Sequence, residues 1–494
     1  MSLSRPLPGR MSSAYDLRVR GTALSLAVAG GVDYGFQLIV PLLLVRFLDP
    51  TVFGHYRLLW LLAGTALAVV PAFMPQALFY FLPRAAPDDK RFLIGNVIVY
   101  LAIAACVVGV LSIGWNPLLP VVPEQLFFQT YSVSTIFISL WVVASLLDVL
   151  PTAEGRAHWQ AGATIFLAIF RTCLLAGAAL ISSDILLLSC AVLAVAVMKL
   201  LLLVHYLNKR SEVISWQLAG VKKQLIYCLP FAVGNALFLL RIQADQWVVA
   251  STLAPAQYAV FSIAAAVLPL ATLIRQPLIN AMMSDLNRLH AIGDSNKVSQ
   301  LIARTNGSIA LFLLPISGVL FAVAPELVDI VYTPRYSDAA PIMRVYLVGM
   351  MMTAFAMGHV LPALERGRFA ALNSAFCLLL SIVFSLVGLN LFGMLGAALG
   401  SVMTLCIGEF LSAKVVSRVL GAAMRELLAW QVLRIPLLST VFAIFSTLIL
   451  GELATSISVP MLLGKCLVYT VSFSVCYVLC GLHDQKRYLR GVLS

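Results

Sequence analysis

The sequence predicts an all-α polytopic membrane protein with about fourteen transmembrane helices, and three observations lead there. Of the 494 residues, 61% are hydrophobic and 11% charged, against roughly 25% charged in an average soluble domain; mean hydropathy is +0.98. The apolar residues run in long stretches, most of about 20 residues or more, enough at about 1.5 Å per residue to cross ~30 Å of hydrocarbon. The basic residues gather at alternate breaks between those stretches.

In chain order the candidate spans are 21–48, 55–82, 93–114, 127–150, 161–181, 185–207, 225–252, 258–282, 301–324, 342–363, 369–391, 394–414, 431–451 and 459–482. The first is too long for the apolar region of a signal peptide and lacks a clear cleavage site, so it is expected to remain as a span. The breaks at Ser182–Asp184 and Phe392–Gly393 are the shortest.

With the N-terminus inside, Arg5, Arg10, Arg18 and Arg20 lie on the same side as Arg84–Arg91, Arg156, Lys209–Lys223, Arg288–Arg304, Arg366–Arg368, Lys414–Arg434 and Lys486–Arg490. The opposite loops Asn116–Gln125 and Ser182–Asp184 carry no Lys or Arg. Cytoplasmic loops retain positive charge, so the net charge of +12 reads as topology, with both termini cytoplasmic and no nucleic-acid partner. The expected organisation is a cytoplasmic segment 1–20, an N-lobe 21–207, a cytoplasmic loop 208–224 and a C-lobe 225–414. Two further helices with their preceding loop occupy 415–482, and a cytoplasmic tail 483–494.

The breaks between spans are too short for a further domain. There is no G-x-x-x-x-G-K-[ST] loop, so ATP hydrolysis in this chain is not expected. The six histidines are scattered without a H-E-x-x-H pair, and the nine cysteines lie in apolar segments without metal-ligand spacing. No metal, cofactor or disulfide framework is expected. A membrane polymerase or ligase of glycans needs a catalytic constellation, usually on a sizeable outer loop, and the outer loops here are too short to build one. An enzyme is not expected.

An internal repeat appears next. Leu48-Asp49-Pro50-Thr51-Val52-Phe53-Gly54-His55-Tyr56 joins the first two spans, and Leu253-Ala254-Pro255-Ala256-Gln257-Tyr258-Ala259-Val260-Phe261 joins the seventh and eighth. Leu and Pro match, and aromatics stay in register at Phe53/Tyr258 and Tyr56/Phe261. Pro75-Gln76-Ala77-Leu78 echoes in Arg275-Gln276-Pro277-Leu278. An offset of about six helices gives parallel repeats, and transporters place their sites at the interface between such halves.

These residues carry a family resemblance. Leu44-Val45-Arg46-Phe47-Leu48-Asp49-Pro50-Thr51-Val52-Phe53-Gly54-His55-Tyr56 resembles the first-loop signature of polysaccharide flippases, the Wzx-type branch of the multidrug/oligosaccharidyl-lipid/polysaccharide exporter superfamily. Pro75–Arg84 is similar to the end of that family's second helix, Tyr336–Arg344 to the segment before helix ten, and Phe392–Ala398 to the turn before helix twelve. The likeness runs over roughly 21–414. It implies two six-helix lobes around a V-shaped central cavity and alternating access. It further implies a lipid-linked oligosaccharide substrate in a bacterial inner membrane, with membrane lipids and a polysaccharide polymerase or export machinery as partners.

Intramembrane charges are the candidate site residues, because each costs at least about 2.5–3.5 kcal/mol at the bilayer centre unless paired or wet. They are Asp33, Arg171, Lys199, Arg241, Asp245, Arg275, Glu409 and Lys465, with Arg46 and Arg57 near the outer ends of the first two spans. Arg275, Arg241, Arg46, Arg57 and Arg171 are the expected substrate-binding cations, since guanidinium groups hold a diphosphate bidentately. Asp33 and Asp245 are the expected ion-coupling carboxylates. Bland readings stand beside these: Arg241 and Asp245, four apart, can neutralise each other. Arg46, Arg57 and Lys465 can reach the outer interface, and Lys199 and Glu409 the inner one. Asp33 and Arg275 lie deep without a sequence-local partner. Gly30, Gly31, Gly35, Pro41, Pro71, Pro75, Pro269 and Pro277 are expected to break their helices. A flippase for a lipid-linked oligosaccharide fits best; a cation-coupled exporter of small molecules is the alternative, which an arginine-rich cavity disfavours for organic cations.

Overall fold

A computed structural model describes residues 11–114, 124–209, 215–428, 430–452 and 459–493. The N-terminal Arg5 and Arg10, Arg210, and most of the outer loop 116–125 lie outside them. Among the described residues the structure is helical, with no strand. The chain divides into two compact units, Met1–Val233 and Gly234–Ser494.

The first unit comprises α1 (Met11–Phe47), α2 (Pro50–Val69), α3 (Met74–Phe81), α4 (Pro87–Gly114), α5 (Glu124–Ala144), α6 (Leu150–Ala153), α7 (Ala157–Ile181), α8 (Ile185–Asn208) and the beginning of α9 (Leu218–Thr252). Its most extensive packing joins α1 to α7 and α5 to α8. The short break before α8 is a cap: the Asp184 carboxylate accepts from Leu186 N–H at 3.0 Å, satisfying a donor that the first turn leaves orphaned.

The second unit contains α10 (Pro255–Ala265), α11 (Leu268–Ile292), α12 (Ser295–Ala322), α13 (Ala324–Leu327), α14 (Ala339–Met352), α15 (Gly367–Leu420), α16 (Met424–Leu427), α17 (Trp430–Glu452) and α18 (Val459–Leu493). Here α12 is the hub, packing on α11, α14 and α17. Its Gly318 admits the C-terminal pair of helices, since a Cβ there would strike the Tyr469 hydroxyl and Thr440.

Eleven helices among the described residues are long and apolar enough to cross a membrane, against the fourteen expected, and the difference has identifiable causes. The apolar segments Ala339–Phe355 and Leu433–Ile449 fall short of full length. The 54-residue α15 holds two expected spans, and Gly393 breaks it with φ 62 and ψ −149. Around that break Gly388 and Gly396 meet backbone to backbone, where any Cβ would strike the other's carbonyl; the two halves fold against each other.

The repeat has a matching local geometry. Pro50 opens α2 and Pro255 opens α10, each after an extended residue: Asp49 at φ −67, ψ 150 and Ala254 at φ −62, ψ 150. Proline suits the first helical position, where its missing N–H costs nothing. The four aromatics in register, Phe53, Tyr56, Tyr258 and Phe261, are all buried. The helix after each proline is interrupted, between α2 and α3 and again between α10 and α11. The first interruption places Ala72 and Phe73 at positive φ. By contrast α1 is continuous through Gly30, Gly31, Gly35 and Pro41 and α11 through Pro277, so the breaks expected at those positions are absent. A further departure falls in the expected span 342–363: α14 stops at Met352, and short 3-10 turns follow at 353–355 and 358–360.

Candidate functional site

The polar residues inside the apolar helices form two clusters, one in each unit. In the first, Arg171 on α7 donates from Nη2 to Asp33 Oδ1 on α1 at 3.0 Å. Gln37, one turn along α1, donates to Asp33 Oδ2 at 2.8 Å. Asp33 therefore has both a distant cationic partner and a local neutral one, which corrects the expectation that it has no sequence-local partner.

Lys199 on α8 is 5% exposed and donates to Asp148 Oδ2 at 2.7 Å, with its Nζ 4.3 Å from the Trp141 ring centroid. It does not turn to the inner surface; the adjacent carboxylate and indole keep it inside. These two ion pairs, with Arg57, Trp60, Trp141 and Gln160, line a cavity of about 480 Å³ within the first unit. Arg46, by contrast, is exposed near the end of α1 and does not line it.

The second cluster surrounds Gly408 and Glu409 on α15. Arg241 on α9 and the Cys377 thiol both lie against Gly408. Asp245, one turn on, is 1% exposed and faces other partners: Tyr346 donates its hydroxyl at 2.6 Å and the Gln246 N–H donates at 2.8 Å. Among the described residues the two do not form an ion pair. Their spacing permits one, but the Asp245 carboxylate is turned to the buried Tyr346 hydroxyl instead.

Arg275 on α11 has Glu409 as its carboxylate neighbour, and its charge also acts on His359. Glu409 in turn accepts from the Met357 and Gly358 N–H groups at 2.9 and 3.1 Å. It is thus occupied by the backbone beyond the end of α14 instead of reaching the inner surface. The Nε atoms of both Arg241 and Arg275 are buried without a hydrogen-bond partner.

Lys465 joins neither cluster. It pairs with Glu326, whose side chain is 4% exposed, and so ties α18 to α13 instead of extending to the outer interface. Asp148 is the charged lining residue that sequence reasoning misses, although it falls inside the 127–150 stretch. Trp60, Trp141 and Tyr346 carried no signal beyond their apolar surroundings. Among the described residues, no group of three or more His, Cys, Asp or Glu is placed to hold a metal ion.

Paired charges lining a cavity among apolar helices are costly unless a polar ligand or transport path uses them, and comparison with known proteins bears on that point. Residues 135–341 match the family model described as "Polysaccharide biosynthesis protein". Among solved structures, the lipid II flippase MurJ in an inward closed conformation is similar at a TM-score of 0.65 and 13% identity, covering 95% of this chain and 99% of that one. A Vibrio cholerae MATE transporter, VcmN, gives 0.56 at 14% identity over 83% of this chain and 98% of that one. An inward-facing multidrug resistance MATE family transporter of the MOP superfamily gives 0.56 at 14% identity, over 80% and 94%. Among curated proteins, none matches the chain. The chain therefore has the helical fold of MurJ and the MATE transporters, and over residues 135–341 it carries the sequence pattern of a polysaccharide biosynthesis protein.

Proposed function

We propose that this protein is a flippase that carries a polyprenyl-diphosphate-linked oligosaccharide across the bacterial inner membrane by alternating access, for surface polysaccharide assembly. The observation that carries the reading is a pair of guanidinium groups, Arg241 and Arg275, each with a buried and unpartnered Nε inside helices apolar enough to cross a membrane. A buried cation is retained at such cost only where something anionic or wet meets it. A diphosphate satisfies planar, forked donors better than any neutral ligand. The match of residues 135–341 to a polysaccharide biosynthesis family supports the glycan half of the substrate. A polymerase or export machinery then takes the translocated glycan.

Of the two carboxylates proposed for ion coupling, Asp33 fits the role better. Its side chain is 27% exposed and lines the cavity, whereas Asp245 is 1% exposed.

Cells lacking the protein should retain lipid-linked glycan on the cytoplasmic leaflet and lose the corresponding surface polysaccharide. Normal surface glycan with a loss of drug resistance alone would replace this reading with a small-molecule exporter.

A further inference from the structure

The cavity of the first unit has a different chemistry from the guanidinium groups of the second. Two of its cations are already matched by carboxylates, Arg171 by Asp33 and Lys199 by Asp148. A diphosphate entering there would meet two negative groups and displace two ion pairs. A sugar hydroxyl meets no such penalty: it donates to a carboxylate oxygen while accepting from the neighbouring ammonium or guanidinium.

Two further features favour a sugar. Trp60 and Trp141 both line the cavity, with ring centroids 5.7 Å apart and planes at 84°. They present indole surface to the cavity, against which the polarised C–H face of a pyranose packs. Gln160 is 6% exposed, lines the same space, and its Oε1 is buried without a partner. A ligand hydroxyl would satisfy that acceptor. At about 480 Å³ the cavity lies within the range of small-molecule pockets, roughly 300–1,000 Å³. Apolar side chains such as Val40, Leu67, Leu167 and Val195 line the rest of it, leaving the polar groups to set orientation.

We infer that the cavity formed by α1, α2, α5, α7 and α8 is a carbohydrate subsite. The glycan seats its hydroxyls on the Asp33–Arg171 and Asp148–Lys199 pairs and on Gln160, with a sugar ring against Trp141 or Trp60. The inference rests on the lipid-linked glycan reading and adds to it a place for the sugar separate from the diphosphate.

The test uses purified full-length protein and two probes: the glycan released by mild acid from the lipid-linked pool of the producing cells, and sugar-free polyprenyl diphosphate. Gln160→Leu, which removes the acceptor at similar size, and Trp141→Ala should each weaken glycan binding about tenfold. Gln160→Glu, which keeps an acceptor, should bind more tightly than Gln160→Leu. None of the three should change affinity for polyprenyl diphosphate. Failure of the released glycan to bind the unaltered protein would overturn the inference. So would equal glycan affinity in Gln160→Leu and the unaltered protein, or parallel loss of both probes. Should Trp141→Ala fail to fold, the Gln160 pair decides alone. The flippase reading fails separately, if cells lacking the protein keep their surface glycan.

Discussion

Glu409 holds the broken segment after α14, so its replacement tests both the fold and the assignment of Arg275. The helix ends at Met352, and the Met357 and Gly358 N–H groups donate to the Glu409 carboxylate at 2.9 and 3.1 Å. In hydrocarbon no water replaces such a partner. Hydrogen bonds to a charged group contribute about 1.5–3 kcal/mol each, so Glu409→Leu should destabilise the protein by about 3–6 kcal/mol. Glu409→Gln keeps a neutral acceptor, and neutral bonds of about 0.5–1.5 kcal/mol leave a loss of roughly half that. Thermal and denaturant unfolding of detergent-purified protein measure both. Arg275→Ala leaves the Glu409 charge without its cationic neighbour, so adding Glu409→Gln should recover stability without restoring export. An unfolding midpoint for Glu409→Leu equal to that of the unaltered protein would refute the argument. Rescue of Arg275→Ala by Asp33→Asn or Asp245→Asn in preference to Glu409→Gln would refute the pairing.

Other expectations follow from the same geometry. Lys465→Met strands the buried Glu326 charge and should cost about 3 kcal/mol in unfolding measurements, most of it recovered by adding Glu326→Gln. Gly388→Val drives a side chain into the Gly396 carbonyl, so folded protein in the membrane should fall sharply on immunoblots, whereas the open position Gly30 should accept valine. Asp33→Asn should abolish export at normal abundance, while Asp245→Asn, which unbalances the buried Tyr346 contact, should lower abundance first; the reverse order would exchange their roles. Asp294 caps α12, and hydrogen bonds from the Lys297 side chain and backbone hold its carboxyl below the ordinary value of 3.8. Its contribution is therefore present above that value and lost as pH falls through the folded-state value. Asp294→Asn should remove this component of the acid limb of a thermal-midpoint profile, and an unaltered profile would contradict it.

The helical architecture was legible because it rests on one-dimensional signals. Apolar length, the prolines at 50 and 255, and the glycine at 393 each act on the few residues around them, and each shapes the structure as its local chemistry requires. Where a local rule failed, packing had supplied what the rule left out. Pro41 was expected to break α1, yet that helix packs along α7 over its most extensive interface. In 342–363 the apolar run predicted continuous helix, but a carboxylate some fifty residues later accepts the backbone donors that the break releases.

The candidate site was legible by depth and not by pairing. Sequence places Asp33, Arg171, Arg241, Asp245, Arg275, Lys199, Glu409 and Lys465 inside or at the ends of apolar stretches, and all of them are structurally engaged. What a linear pattern lacks is the rotation of each helix about its axis, and rotation chooses the partner. Arg241 and Asp245 have the right spacing to face each other, yet Tyr346 is 101 residues from Asp245 in sequence and takes the carboxylate. Lys199 and Lys465 are long enough to reach an interface, but each meets a carboxylate sooner, at Asp148 and Glu326. Snorkelling is thus the default only for a cation with no acid within reach. Conversely, among the intramembrane charges singled out by sequence, Arg241 and Arg275 keep a buried Nε without a hydrogen-bond partner and so retain a donor for a ligand. That remainder, more than the original count of intramembrane charges, is the argument for an anionic substrate.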